Sequence, residues 1–486
     1  MVKSPDAAAQ PASPAIMWFR QDLRLKDNPA LRAAAHGGTP LLCVFILDEE
    51  VMPLGGASRW WLHHSLTALG AALEKRGIPL LLKRGAAAPI LEELAAETGA
   101  RALYWNRCYE PAAIARDKKI KDAMKEKGLE VKSFNAALLC EPWEIATKMG
   151  EPFKVFTPFW KALQQKTVPA PLPAPEELMP GPEVAGEALE SFELLPKKPD
   201  WAGGLKEAWQ PGEEGARARL AAFLDEDLSG YPAKRDLPAE PATSRLSPHL
   251  HWGEIGPRQV WAATESAFAS DAMQTKSGTA FLRELAWRDF SHNLLYHWPS
   301  LESENWKSAF DAFPWAKDEK GFKAWCAGKT GYPIVDAGMR ELWHTGWMHN
   351  RVRMIAASFL IKDLLVHWKE GADWFWDTLV DADLANNYAS WQWVAGSGAD
   401  ASPYFRIFNP VLQSEKFDPK GAYIRKWVPE LAGLDDKHIH RPWEAPEAML
   451  EKAGIKIGRE YPAPIVDHFE ARDRALEAYQ AVKRVS

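Results

Sequence analysis

The chain has 486 residues, 47% of them hydrophobic and 26% charged, with a net charge of −6. Such a composition is globular and long enough for two or three domains. It excludes a uniformly basic nucleic-acid binder, so any DNA contact must come from a local patch.

Residues 1–14 are rich in Ala, Pro and Ser and carry no apolar signal core, so disorder is expected there. No uncharged apolar run is long enough to span a membrane, and a cytoplasmic protein is expected. Cys43, Cys108, Cys140 and Cys326 form no CxxC pair, which fits a reducing compartment and argues against a zinc or redox motif. Short apolar runs then read as buried strands at Ala15–Phe19, Pro40–Leu47, 79–83, 102–105 and 131–134. Helical stretches such as 60–76 and 88–98 separate them. This alternation predicts a parallel, doubly wound α/β domain over 15–140.

Residues 141–215 read as a linker. Its later part, from about 169, is dominated by Pro, Glu and Gly and reads as exposed. From 216 to 486 the pattern is almost entirely helical. Val352, Ile355, Ala356, Phe359, Leu360 and Leu364 keep the spacing of one buried helix face. There is no internal repeat, no GxGxxG and no Walker A loop, so a dinucleotide would have to be held some other way.

Four segments of this half bear on chemistry. Thr243-Ser244-Arg245-Leu246-Ser247 precedes a helical stretch; it reads either as a plain N-cap or as an anion site for a pyrophosphate. FLRELAWRDF puts Phe281, Glu284 and Arg288 on one face, with Trp287 near its edge. A Glu284–Arg288 surface pair and a ligand-facing pair remain open readings. In GWMHNRVRM, Trp347, Asn350, Arg351 and Met354 follow i, i+3, i+4, i+7. An aromatic, an amide, a guanidinium and a thioether in one stripe suit a flat heteroaromatic better than a hydrocarbon core. His344 and His349 lack a further ligand at metal spacing, so no metal is expected. Finally, DADLANNYASWQW holds Asp381 and Asp383, with Arg353 a candidate partner for Asp381. It also places Trp391 and Trp393 two apart, which on a helix sends them to nearly opposite faces. With 24 Trp against 10 Tyr, the indoles are in excess of what core packing requires.

Taken together these segments resemble the DNA photolyase/cryptochrome family. The resemblance runs over most of the chain: WFRQDLRL at 18–25 with Asp27-Asn28, TSRLS, FLRELAWRDF, GKTGYPIVDAGMRELWHTGWMHNRVRM, DADLANNYASWQW and PYFRIFNPVLQSEKFD. It implies an N-terminal α/β domain, a long linker and a helical domain that holds FAD. Carried over position by position, it implies FAD contacts from Tyr231, Thr243, Ser244, Leu246, Ser247, Phe281, Glu284, Arg288, Trp347, Asn350, Arg353, Asp381, Asp383 and Asn387, with Asn387 at the flavin N5. It implies lesion or DNA contacts from Arg235, Glu284, Trp287, Asn350, Arg351, Met354, Trp393, Arg406 and Gln413. Trp391, Trp368 and Trp315 match an electron-transfer chain that runs from flavin to surface. Trp393 would stack on the lesion with Trp287, so the two tryptophans of WQW would serve different partners.

The family repairs cyclobutane pyrimidine dimers, repairs (6-4) photoproducts, or signals. The (6-4) enzymes carry two histidines in the lesion pocket, where this chain has Asn350 and Met354. Plant-type cryptochromes carry Asp where this chain has Asn387, and an amide cannot donate a proton as a carboxyl can. The resemblance therefore implies dimer repair, in which photoexcited reduced FAD lends an electron to a flipped-out dimer in single- or double-stranded DNA. Glu284 would steady the dimer by a hydrogen bond to its carbonyl. The stretch 231–310 has no basic excess, so DNA affinity is expected to rest on a focused patch and to fall steeply with salt. YWNRCYEPAAIARD, with Ala112 and Ala113 where folate-antenna enzymes have an Asn-Glu pair, is closer to plant cryptochromes and the class III photolyases. A methenyltetrahydrofolate antenna held differently is expected, with a deazaflavin or no antenna as the alternatives. A monomer is expected. The rival readings are a blue-light photoreceptor, a flavin oxidoreductase without a recognisable nicotinamide site, and a Trp-rich scaffold without cofactor.

Overall fold

In the computed structural model, residues 13–268, 272–401 and 405–485 are described. Residues 1–12, where disorder is expected, lie outside the described residues, as do Pro403 and Tyr404 of the PYFRIF segment. The N-terminal strands β1 (Ala15–Phe19), β2 (Pro40–Leu47), β3 (Leu80–Arg84), β4 (Ala102–Asn106) and β5 (Glu130–Phe134) form a parallel sheet in the order β3-β2-β1-β4-β5. Their near-continuous apolar runs follow from burial on both faces. Along β1, Met17 and Phe19 join one core while Ile16 and Trp18 join the other. Helix α1 (Gly56–Glu74) covers the first face through Trp60, Trp61 and Leu66. Helices α2 (Ala87–Thr98) and α3 (Pro111–Glu126) cover the second through Leu91, Leu94, Ile120 and Met124. The sheet is thus doubly wound.

The stretch after β5 is more anchored than its composition suggests. Helix α4 (Phe156–Leu163) sends Phe156, Phe159 and Leu163 into the core of the helical half. Further on, Phe192, Leu194, Leu205 and Trp209 are buried against the sheet domain. A few apolar anchors among many prolines and glutamates leave no periodicity, so they are invisible to a pattern search. Fully buried Glu254 ties the parts together. It accepts hydrogen bonds from Trp61 Nε1 (3.0 Å) and the Gly212 amide (2.7 Å), and its other oxygen lies 2.5 Å from His249 Nδ1. One carboxylate so joins α1, the connector and the helical half.

The helical half that carries the polar–aromatic segments is built from α5 (Ser247–His251), α6 (Ala272–His297), α7 (Pro333–Thr345), α8 (Asn350–Ser358), α9 (Trp368–Thr378), α10 (Leu384–Ala395), α11 (Pro410–Phe417) and α12 (His468–Val485). Side chains set several of the starts, three of them at the helices that carry the polar–aromatic segments. His349 accepts from the Arg351 amide at α8, His367 from Lys369 at α9, and Asp383 from Asn386 at α10. The apolar face expected to run from Val352 to Leu364 is real, but the helix does not run straight through it. After Ser358 the chain takes a π-helical turn over Phe359–Asp363. That wider turn accommodates buried Lys362, whose Nζ donates to the Ala395 carbonyl (3.0 Å). Among the described residues, no helix is long and apolar enough to cross a membrane.

Candidate functional site

A cavity of about 590 Å³ opens between α5, α6, α8 and α10, a volume within the range of cofactor sites. The segments singled out in sequence converge on it. Every residue assigned to cofactor, lesion or electron transfer lines it, except Trp368, Trp315, Arg406 and Gln413. Exposure is graded across it. Arg235, Glu284, Trp287, Asn350, Arg351, Met354 and Trp393 keep contact with solvent and form the rim. Asp381, Asp383, Asn387 and Trp391 are buried and form the floor.

The floor is built by α10 and the turn before it. Asp381 receives Arg353 Nη2 at 2.9 Å, the pairing considered from sequence. Asp383 caps α10 with Oδ1, while Oδ2 lies 3.6 Å from His251 Nδ1 and 3.5 Å from His292 Nε2. Burial opposes its charge, but the two imidazoles outweigh it and hold the carboxyl well below the usual range. Neither histidine was anticipated; His251 sits in the α5 segment and His292 one turn beyond Arg288, and only the fold brings them to one oxygen. Asn387 donates to the Ala372 carbonyl (3.0 Å), and its amide oxygen accepts no hydrogen bond among the described residues.

The TSRLS segment does not form a plain cap. Leu246 precedes α5, and no side chain bonds its first amides. Instead Trp347 Nε1 donates to Ser247 Oγ (3.3 Å). Arg245 adopts a φ of 51° and lies between Trp209 (4.5 Å) and Trp347 (4.7 Å), with its Nε buried and unpartnered among the described residues. Nor does Glu284 pair with Arg288. It takes Arg235 Nη1 at 2.5 Å, and Arg288 donates to the carbonyl of Ala137, just after β5 (2.5 Å). On the next helix the stripe from Trp347 to Met354 all faces the cavity, although α8 begins only at Asn350 because His349 caps it.

The two tryptophans of WQW have different surroundings. Trp391 packs edge-on against Phe375 (5.0 Å) and Trp325 (6.2 Å), and lies so close to Gly371 of α9 that a Cβ there would stand 2.2 Å from its ring. Trp393 is half-buried and donates to the Asp400 carbonyl (3.1 Å). Trp287 is stacked on Phe156 of α4, with centroids 3.7 Å apart and planes 9° apart. Phe156 does not line the cavity but backs a residue that does, a support that sequence reasoning missed since it stands in the connector. Behind the floor, fully buried Trp368 donates to Asn305 Oδ1 (2.9 Å). His367 touches both Trp368 (5.4 Å) and half-buried Trp315 (4.7 Å). Trp391 and Trp368 are not in ring contact; the backbone of α9 lies beside the first and carries the second. Arg406 is exposed and Gln413 lies half-buried on α11.

Burial pushes the His349 imidazole down to about 4, although Asp236 nearby favours its charged form. An unfolded histidine titrates near 6.5. The folded chain therefore binds this proton less well, and the contribution of His349 to stability is lost as pH falls from about 6.5 towards 4. Imidazole ¹⁵N shifts are expected to hold His349 neutral at pH 5.5. A midpoint near 6.5 would mean that water reaches the ring.

The arrangement fits FAD. An anion is matched by the hydroxyls at TSRLS and by Arg245, whose Nε has no hydrogen-bond partner among the described residues, a flat ring system by Trp347 and Phe281, and ring N–H and acceptor groups by Asp381, Asp383 and Asn387. His251 Nδ1, buried and without a hydrogen bond among the described residues, adds a polar atom to the same wall.

Comparison with known proteins bears on both halves. The family model described as DNA photolyase matches residues 15–176, and that of the FAD binding domain of DNA photolyase matches 281–481. The deoxyribodipyrimidine photo-lyase of Agrobacterium fabrum is 54% identical over 98% of this chain and 99% of its own length. Cryptochrome-1 of Arabidopsis thaliana is 39% identical over 95% of this chain and 70% of its own. The crystal structure of a class III photolyase from Agrobacterium tumefaciens superposes with a TM-score of 0.96 at 54% identity, covering 99% of this chain and all of that one.

Proposed function

Since the chain belongs to the DNA photolyase family and is an FAD-dependent, light-driven DNA repair enzyme, we propose that its substrate is the cyclobutane pyrimidine dimer and that the rim and floor of the one cavity divide the work. The observation that carries this reading is the graded cavity: solvent-accessible aromatic and charged groups above, buried carboxylates and an amide below.

FAD, when bound and reduced, supplies on light absorption the electron that opens the dimer's ring and receives it back. The chain's own residues do the rest. Thr243, Ser244, Ser247 and Arg288 hold the phosphate end; Tyr231, Leu246, Phe281, Trp347 and Asn350 enclose the rings; Arg353 fixes Asp381 in place as an acceptor. Asn387, with its oxygen uncommitted, accepts from a ring N–H and has no acidic proton to give, which separates this site from a photoreceptor that needs a carboxyl there. Trp287 and Trp393 stack on the flipped lesion, an interaction of about 1–3 kcal/mol per base. Phe156 fixes the plane of Trp287 before the lesion arrives. Met354 packs on the lesion, and Glu284, held by Arg235, accepts from its ring N–H. Arg235, Arg351, Arg406 and Gln413 grip the backbone. Trp391, Trp368 and Trp315 reload the cofactor from the surface.

We place the domain divisions at 15–140, 141–215 and 216–486, and take the chain to be a cytoplasmic monomer with a methenyltetrahydrofolate antenna on the sheet domain. The test is light-dependent reversal of a defined thymine dimer by photoreduced protein, beside a dark control and a (6-4) substrate. Reversal of the dimer alone, and only in light, is expected. Bound, reduced FAD without reversal would reject the reading in favour of a photoreceptor.

A further inference from the structure

At the cavity rim two successive residues reach in opposite directions with opposite charge. Arg235 goes to Glu284 on α6 (2.5 Å), and Asp236 goes to Arg351 Nη2 on α8 (3.0 Å). The short strap that carries them therefore ties both walls by charge-swapped pairs. Arg351 is otherwise held by apolar and weak contacts: its guanidinium lies over Phe417 (4.4 Å), and Nη1 approaches Met354 Sδ (3.8 Å). Its Nε is buried and has no partner among the described residues. The carboxylate of Asp236 is thus its one charged partner there. His349 also faces Asp236, but burial keeps that ring neutral, so it brings no compensating charge. Arg235 is already engaged by Glu284: burial works against its charge, and the Glu284 hydrogen bond more than restores it.

We propose that Asp236 is a competitor built into the rim, which holds Arg351 so that a DNA phosphate reaches it only by displacing the carboxylate. The inference rests on the reading that Arg351 grips the DNA backbone. A phosphate diester and a carboxylate bind the same guanidinium edge. DNA binding at this point is then an exchange and not an addition. It trades a half-exposed protein pair for a protein–DNA pair and leaves Asp236 beside the phosphate. No covalent step is involved. The exchange concerns the backbone, so it weakens damaged and intact DNA by the same factor. The protein is left less firmly held on the intact DNA that it must search.

Asp236→Asn keeps the side-chain size and removes the charge, and Asp236→Ala serves as a second variant if the amide disturbs the strap. FAD content and dimer reversal at saturating DNA, both expected to match the parent, control for folding. At low salt the variant is expected to bind damaged and intact oligonucleotides about three- to tenfold more tightly, with a steeper dependence of affinity on salt. Arg351→Gln is expected to weaken binding more in the Asp236→Asn background than in the parent. Unchanged affinity in both Asp236 variants, or an additive cycle with Arg351→Gln, would overturn the proposal. If the parent binds and repairs DNA, that failure concerns Asp236 alone; if the parent binds none, the functional reading itself falls.

Discussion

Replacing Trp391 by phenylalanine is expected to abolish light-driven reduction of the bound cofactor while leaving dimer reversal by chemically reduced protein intact. Trp391 is the indole of the cavity floor, buried against Phe375 and Trp325 and closed from behind by Gly371. Phenylalanine fills most of that space, so the fold should survive at a cost of order 1 kcal/mol. A benzene ring is much harder to oxidise than an indole, so the step that needs a donor at this position stops. Trp368 and Trp315 lie farther on and make no ring contact with the floor indole, so they do not replace it directly. The measurement is the rate of flavin bleaching under blue light with an external reductant, followed by a single-turnover repair assay after dithionite. Retained photoreduction would assign the donor to another indole, with Trp325 the first to test. Lost repair after chemical reduction would mean that Trp391 also shapes the pocket.

Asp383→Ala is expected to cost FAD retention and about 2–4 kcal/mol of stability. The residue caps α10, a role worth about 1 kcal/mol. It also supplies the carboxylate between His251, His292 and Arg288, and removing one member of a buried charged set costs up to about 3–5 kcal/mol. His251 lines the cavity, so solvent can reach the set, which keeps the sum below the upper end. Asp383→Asn retains the cap and removes the charge, so it separates the two contributions. The pH dependence has a definite sign. The folded carboxyl lies below its unfolded value of about 3.9, so its contribution is complete above that pH and is lost as pH falls below it. Denaturant melts from pH 2.5 to 7 should show a flatter acid limb in Asp383→Ala than in the parent, and the FAD-to-protein ratio after gel filtration should drop. An unchanged ratio would remove Asp383 from the cofactor wall.

The sheet domain was legible because its signals are local. Buried parallel strands are uniformly apolar, and Ala15–Phe19 and Pro40–Leu47 are found as read, while the third strand is displaced by one residue. The stripe from Trp347 to Met354 was legible as a pocket wall because chemically mixed residues at helical spacing fit a core poorly. Other contacts are not encoded by spacing at all. Glu284 and Arg288 sit at i, i+4, yet each has a partner more than forty residues away, Arg235 and Ala137 respectively. His251 and His292 meet Asp383 from two different helices. Phe156 reaches Trp287 from a segment whose composition reads as linker. Periodicity reports the face on which a residue lies; it does not report which distant segment comes to cover that face.

That last contact bears on how portable the catalytic half is. Trp287 owes its fixed plane to a phenylalanine 131 positions upstream, Arg288 is anchored on the Ala137 carbonyl, and Trp347 is backed through Arg245 by Trp209. A helical half cut free at 216 would carry the residues that touch cofactor and lesion while losing those three props. Grafts or circular permutants that respect only the outline of that half should therefore lose binding precision before they lose solubility. A working graft has to carry the connector along with the site it steadies.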